Sequence, residues 1–445
     1  MELSLQKIDV RELEDLRHLL WGKDLKDEVF LRWTQGFSFS PDEPTALCQL
    51  EGGPCAVIAP VQAFVLKNAL FNKKLEPSSV TGKEAKELLV LSLTEILLQL
   101  GTDTHRLLFL EADGPDSQGN SPTCSTNGRD TESGERSPKR QKLDPGRFHS
   151  KLRCIECDGE ESLMSCIRKN LSEFQTDFGV LLYLYSLILT KGIEQTKNEL
   201  EDLAEPLIDE THGHGSQSLI NLMLVGKAIS NVWDNDKEVS GLVMRGIQKQ
   251  STIGFLTLME HLRYCEVGWF LKNPKFPIWL LASETHITVL FSKELGLVVK
   301  ETKESNARQI FQRFDPEGNG FITTCQLGDL MEAVDLVSEK EYVDIMKTKL
   351  DPENLGIVTL NSFLEEFYPG ESTPEVPTQF ILYHYNGLCR SSHDGKVKYK
   401  EAKATIKEEL DIQIITDTSP MKTCLETKWP SIELGWLSPH IPSLN

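Results

Sequence analysis

Residues 56–66, Ala-Val-Ile-Ala-Pro-Val-Gln-Ala-Phe-Val-Leu, carry no charge and a single polar side chain. A helix of that composition has no solvent face and must be enclosed by the rest of the chain. Gln49-Leu50-Glu51-Gly52-Gly53-Pro54 precede it, and Cys55 opens it. A thiol there sits at a helix N-terminus, where unpaired backbone N–H groups and the helix dipole favour the thiolate. The thiolate is the nucleophilic form of cysteine, so the position suits a reactive thiol. The competing use is a small buried hydrophobe. Pro60 removes one helical hydrogen bond and predicts either a bend after the first turn or a shorter turn beneath Cys55.

The 445 residues are enough for two or three domains, and 39% hydrophobic with 26% charged residues indicates a mostly globular chain. No run is read as reaching the roughly 18 apolar residues that span a bilayer. Met1-Glu2-Leu3-Ser4-Leu5 lacks a basic stretch ahead of an apolar core, so no secretory signal is expected. The ten cysteines are scattered and are expected to be reduced thiols of cytosol or nucleus. Cys154 and Cys157 form one CxxC, but His149 and Cys166 complete no standard zinc pattern. The net charge of −20 argues against nucleic acid, whose binding needs basic residues, and suits a partner with a basic face.

From Asp9 to about Leu110 the pattern is folded and mostly helical, with a stripe at Leu13, Leu16, Leu19 and Leu20 and a second amphipathic segment from Lys83 to Leu100. Residues 112–147 are rich in Gly, Ser, Pro and Asp, cannot bury enough surface to offset chain entropy, and are expected to be disordered. Near their end Ser137-Pro138-Lys139-Arg140-Gln141-Lys142-Leu143-Asp144 resembles a nuclear-import signal. Residues 178–189 are a buried helix or strand that periodicity does not separate. The loop His212-Gly213-His214-Gly215-Ser216-Gln217 precedes a helix from Leu219 and reads as a surface turn, with facing a ligand as the alternative. Residues 276–282 form a strand, Ser283-Glu284-Thr285 a turn, and His286–Phe291 a second strand with Ile287, Val289 and Phe291 on one face. Residues 380–385 are a strand, and Asn386-Gly387 predicts a tight hairpin turn.

Residues 301–370 resemble a pair of EF-hands. Asp315, Glu317 and Asn319 occupy alternating ligand positions, with Gly320 at the sharp turn, but Gln326 stands where a bidentate carboxylate belongs. A second loop from Asp351 keeps Glu353 and Gly356 and has Ser362 at its twelfth position. Both loops keep the scaffold and lack the strongest ligand. The first remains a candidate calcium loop, no cofactor is assigned, and a protein partner is expected at the insertion.

A Cys–His hydrolase needs a thiolate, an imidazole to share its proton, and donors for the oxyanion. Cys55, His286, and Gln49 with the Cys55 amide supply these in turn, because Gly52-Gly53-Pro54 lets Gln49 curl back. The layout is papain-like, in an α+β chain. No third member of a triad is assigned; Asn386, in its turn, is the residue considered.

The motifs Gln49-x-x-x-Gly53-Pro54-Cys55, Trp33-Thr34-Gln35-Gly36-Phe37, residues 214–221 (His-Gly-Ser-Gln-Ser-Leu-Ile-Asn) and Glu284-Thr285-His286 together resemble the MINDY family of ubiquitin-specific cysteine proteases. Within it the chain is similar to the third paralogue, whose branch carries an EF-hand-like insertion. The resemblance implies a papain-like cysteine protease fold and hydrolysis of isopeptide bonds after the C-terminal Gly-Gly of ubiquitin. It also implies a preference for polyubiquitin of the proteasome-targeting lysine linkage. It gives Cys55 the role of nucleophile, His286 general base and acid, and Gln49 oxyanion donor. The implied partners are ubiquitin and polyubiquitin, with no nucleic acid and no membrane, in the nucleus and also the cytoplasm. The expected organisation is catalytic residues 1–111, a disordered insertion at 112–147, catalytic residues 148–300, the EF-hand-like insertion at 301–370 and a catalytic C-terminal part at 371–445. The rival readings are a catalytically silent ubiquitin-binding adaptor and a transglutaminase-type amidase. The latter should show an Asp-supported His and full carboxylate calcium sites, which the sequence lacks.

Overall fold

The computed structural model describes residues 5–111, 143–239, 241–298, 303–315, 319–369, 377–407 and 419–445. The apolar run is the helix Cys55–Lys67, continuous through Pro60 and buried at every position. A π-helical turn, Asn68–Asn72, follows it. Together they are long and apolar enough to cross a membrane by length and composition, contrary to the expectation that no run is; 83% of the window is buried inside the protein, as suits a core helix. The polar groups it carries inward are satisfied. Gln62 Oε1 accepts from the Leu47 amide (2.7 Å) and its Nε2 donates to the Thr45 carbonyl (3.0 Å), while Lys67 pairs with Glu95 at 2.7 Å. Burying an amide or an ammonium without such partners is strongly unfavourable.

One side of this helix is walled by a six-stranded sheet. Its strands are β1 (Gly254–Thr257), β2 (Ile278–Ala282), β3 (Ile287–Phe291), β4 (Gln379–Tyr385), β5 (Lys400–Ile406) and β6 (Ile432–Trp436), lying in sequence order. β1 and β2 are parallel, and every other neighbour is antiparallel. Side-chain alternation sorts the strands between two cores. Ile287, Val289 and Phe291 face the main core with the Cys55 helix, whereas Leu290 and Trp279 face a second core completed by Met421, Cys424 and Leu425 of the helix Pro420–Glu426. The alternation expected for residues 286–291 is therefore present, with His286 one residue ahead of the strand.

Residues 179–189 of the segment 178–189, ambiguous by periodicity, lie in a fully buried helix, Gly179–Lys191, which Phe178 caps. The Asn386-Gly387 hairpin is corrected. Its tight turn needs positive φ at both residues, which neither has, and β4 reaches its partner only at Lys400 opposite His384. Cys154 and Cys157 share the strand Leu152–Asp158, where an odd separation points them to opposite faces. Among the described residues no group of three or more His, Cys, Asp or Glu is placed to hold a metal ion. Residues 112–142 and the basic run at 137–142 lie outside the described residues. Leu143 is buried and Asp144 caps the helix Pro145–Ser150, so residues 143–147, expected to be disordered, are structured.

Residues 303–315 and 319–369 form two helix–loop–helix units around their own core of Phe311, Leu327, Leu330 and Phe363. Their loops pair through Phe321–Thr323 and Ile357–Thr359, with Ile322 opposite Val358. Asp315 accepts the amides of Asn319 (2.9 Å) and Gly320 (2.6 Å), and Asp351 those of Leu355 and Gly356.

Several buried histidines leave an acid signature. His384 on β4 has no partner at either ring nitrogen among the described residues, and burial, with His286 nearby, pushes its pKa down to about 3. Burial likewise brings His149 and His286 down to about 4. Because these folded values lie below the unfolded value of about 6.5, the folded state binds fewer protons. The stability they contribute is complete above about pH 6.5 and is lost as the pH falls toward the folded values, by about 1.4 kcal/mol per pH unit for each histidine. Urea midpoints should decline between pH 6.5 and 4, and His384→Leu should make the decline shallower by one histidine's share; an unchanged slope would contradict the assignment.

Candidate active site

Gly53 takes φ 130°, a conformation that L side chains rarely adopt, and a Cβ there would meet Trp33 Nε1 at 3.1 Å and the Gly213 carbonyl at 3.2 Å. Pro54 then caps the helix, its carbonyl accepting from the amides of Val57 and Ile58, both at 2.9 Å. Cys55 is thus the first helical residue and is 3% exposed. Its Sγ donates to the Gly53 carbonyl at 3.7 Å. Burial pushes the thiol up to about 11, against the opposing pull of the backbone amides of Ile287, Ala56 and Cys55 itself. The helix N-terminus acts in the expected direction, but desolvation outweighs it and disfavours the thiolate expected from position alone.

The Ile287 amide near that sulfur belongs to the residue after His286. A tight turn presents His286: the Ser283 amide donates to its carbonyl (3.0 Å), and its own amide donates to Ser283 Oγ (3.1 Å). The imidazole is 4% exposed, and its Nε2 lies 3.0 Å from Asn386 Oδ1. The orientation of that amide follows from its other contacts. Oδ1 also accepts from the Leu388 amide at 3.0 Å, and Nδ2 donates to the Ser443 carbonyl at 3.1 Å. With Oδ1 fixed as acceptor, Nε2 carries the proton and Nδ1 is the basic nitrogen. Burial brings His286 down to about 4, opposed by the Asn386 hydrogen bond and reinforced by the charges of Arg390 and His214. Among the described residues no hydrogen bond joins His286 to Cys55, and burial disfavours the charged form of both groups.

Gln49 is 2% exposed and held at both ends. Its amide nitrogen donates to the Gly387 carbonyl (2.8 Å), and its Nε2 donates to the Glu51 carbonyl (2.8 Å). One Nε2 hydrogen is therefore engaged at rest. The contacts close a circuit: Gln49 to Gly387, Asn386 to His286, the Ile287 amide to the Cys55 sulfur, and six residues of chain back to Gln49. The circuit thus links Cys55, His286 and Gln49, and Asn386, considered from the sequence but not assigned, is the residue bonded to His286. Asp315 and Asn319 lie in the separate helical unit with its own core, and Glu317 is outside the described residues.

The remaining motif residues build the wall. Gln35 Oε1 accepts from the Leu50 amide (2.8 Å) and its Nε2 donates to the Arg32 carbonyl (2.6 Å), bracing the loop that leads to Cys55. Trp33 Nε1 donates to the Gly213 carbonyl at 3.0 Å. A Cβ on Gly215 would stand 2.4 Å from the Ala56 Cβ. The Gly-His-Gly loop packs its glycines against the start of the Cys55 helix, while His212 stays exposed as expected of a surface turn.

A neutral thiol predicts a particular pH profile. Iodoacetamide modification of Cys55, followed by mass spectrometry, should rise about tenfold per pH unit from pH 7 to 9 without levelling, as expected below a pKa near 11. A plateau between pH 5 and 8 would instead show a preformed thiolate.

Residues 17–312 match the family described as deubiquitinating enzyme MINDY-3/4, conserved domain. The chain is 48% identical over 444 residues to the human ubiquitin carboxyl-terminal hydrolase MINDY-3, covering 97% of this chain and 99% of that protein. It is 48% identical over 446 residues to the Danio rerio MINDY-3, covering 96% and 98%. With the Drosophila melanogaster MINDY-3 homolog it shares 42% identity over 474 residues, covering 99% of this chain and 84% of the relative. No solved structure matches the chain.

Proposed function

The chain belongs to the MINDY-3/4 family of deubiquitinating hydrolases, and from that premise we propose that it is a cysteine-type deubiquitinase acting through Cys55, His286 and Gln49. The observation that carries the reading is the circuit that sets Cys55 at a helix start beside the Ile287 amide and fixes His286 with Nδ1 as its base. The substrate we assign is the isopeptide bond after the last glycine of ubiquitin, with polyubiquitin of the proteasome-targeting lysine linkage as the preferred chain. The acidic charge of the protein complements a basic ubiquitin tail.

His286 accepts the Cys55 proton as sulfur attacks the glycine carbonyl. The transfer accompanies attack, because a free thiolate is disfavoured in this buried site. The Cys55 amide, which has no intrahelical partner at the first helical position, and the Gln49 side-chain amide receive the oxyanion. Collapse of the tetrahedral intermediate breaks the C–N bond. The lysine amine leaves with the proton from His286, and water hydrolyses the thioester through a second oxyanion to return the thiol and a free carboxylate.

We read the catalytic part as papain-like, and residues 303–369 as the EF-hand-like unit of the third-paralogue branch, used as a protein contact. Gln326 supports a role without metal: its Oε1 accepts from Thr323 N (3.0 Å) and Oγ1 (2.8 Å), and it is neutral where calcium needs a carboxylate. Calcium calorimetry on the full chain should show no micromolar isotherm, and one would overturn this assignment. The compartment we propose is the nucleus, with the cytoplasm, on the basic run at residues 137–142.

An electrophilic ubiquitin C-terminal probe should label the wild type and not Cys55→Ala. Gln49→Ala should lower kcat by about 10²- to 10³-fold, the range for loss of one oxyanion donor. A wild type that neither labels nor cleaves, while Cys55 still alkylates, would favour the silent ubiquitin-binding adaptor.

A further inference from the structure

The Asn386 amide is held by a segment that the proposed chemistry does not use. Its Nδ2 donates to the main-chain oxygens of Ser443 (3.1 Å) and Asn445 (3.4 Å). Asn445 Oδ1 accepts in turn from Ser283 Oγ and from Thr285 Oγ1 (3.3 Å). These lie in the turn whose Ser283 hydroxyl receives the backbone N–H of His286. Between the two contacts Leu444 is 4% exposed, buried in the second core with Met421 and Leu425. Three consecutive residues therefore grip both sides of one hydrogen bond: the turn that carries His286, and the amide that accepts its Nε2 proton.

We propose that residues 443–445 are a strap that positions Asn386 and, through it, His286 for proton transfer. The inference rests on the cysteine–histidine reading above. Asn386 and the strap are positioning elements, since neither reaches the reacting atoms. The strap oxygens accept from Nδ2 and so keep Oδ1 turned to His286. Without them only the Leu388 amide selects that orientation, and a flipped amide would set its NH₂ against the Nε2 proton. The bond matters most when His286 holds the Cys55 proton, because the imidazolium then donates a charge-assisted hydrogen bond from Nε2.

The test uses the full chain as wild type, Asn386→Ala, Leu444→Asp, Asn445→Ala and the Asn386→Ala/Leu444→Asp double variant. Two readouts are taken: kcat and KM on a fluorogenic ubiquitin C-terminal amide, and the nitrogen-15 histidine spectrum with the His286 signal assigned through His286→Gln. Asn386→Ala and Leu444→Asp should each lower kcat by roughly 10- to 100-fold, the scale of partners that orient a group by hydrogen bonding, with KM within about twofold. The double variant should be no slower than Asn386→Ala, because coupled residues are not additive. The Nε2–H signature should fade in each strap variant. Asn445→Ala, which leaves Leu444 in the core, serves if Leu444→Asp does not fold, and Leu444→Met should behave as wild type. The proposal is overturned if Leu444→Asp slows the enzyme by the same factor with Asn or Ala at position 386, or if the tautomer is unchanged. A wild type without turnover would defeat the parent reading alone. The spectrum would still decide the strap: a tautomer change in Asn445→Ala upholds it, and no change removes it.

Discussion

The enclosure of the Cys55 helix is the constraint on which the rest depends. A helix buried at all thirteen positions from Cys55 to Lys67 cannot lie on a surface, so the chain must close around it. The closure uses the face of the sheet that bears Ile287, Val289 and Phe291. Packing the helix on β3 therefore brings the residue ahead of β3 to the start of the helix. The meeting of Cys55 with the His286 turn follows from how two apolar surfaces are covered.

The sheet extends this logic. Its strands lie side by side in chain order, so β4 is the neighbour of β3 and its end delivers Asn386 beside His286. Residues 386–399 then bridge to β5 by a longer connection in place of a two-residue hairpin, and Gly387 and Leu388 pair with Gln49. Backbone pairing thus joins two regions more than three hundred residues apart. The groups that close the circuit are amides and carbonyls as much as side chains, and the site inherits the rigidity of the layers beneath it.

The sequence made some of this legible and hid the rest for definable reasons. Alternation at 286–291 and the apolar run at 56–66 report burial directly, and both appear as read. The protonation of Cys55 did not show, because a helix N-terminus is visible in sequence while the depth of the layers over it is not. Asn386-Gly387 misled: the pair is a strong local turn signal, but here backbone bonds to Gln49 and a side-chain bond to His286 override the local preference. The Gly-His-Gly loop looked exposed because its residues are small and polar. Its glycines are instead what let it press on Trp33 and Ala56. Residues 443–445 carry no local pattern, since they contribute mainly backbone oxygens.

The buried, protonated state of Cys55 has a consequence for chemical durability. Peroxides oxidise thiolates far faster than thiols, so a cysteine kept protonated and nearly inaccessible resists conversion to sulfenic acid and beyond. Proteases that keep a standing thiolate are open to that attack at all times. The burial that disfavours the Cys55 thiolate therefore also shields the sulfur from oxidants.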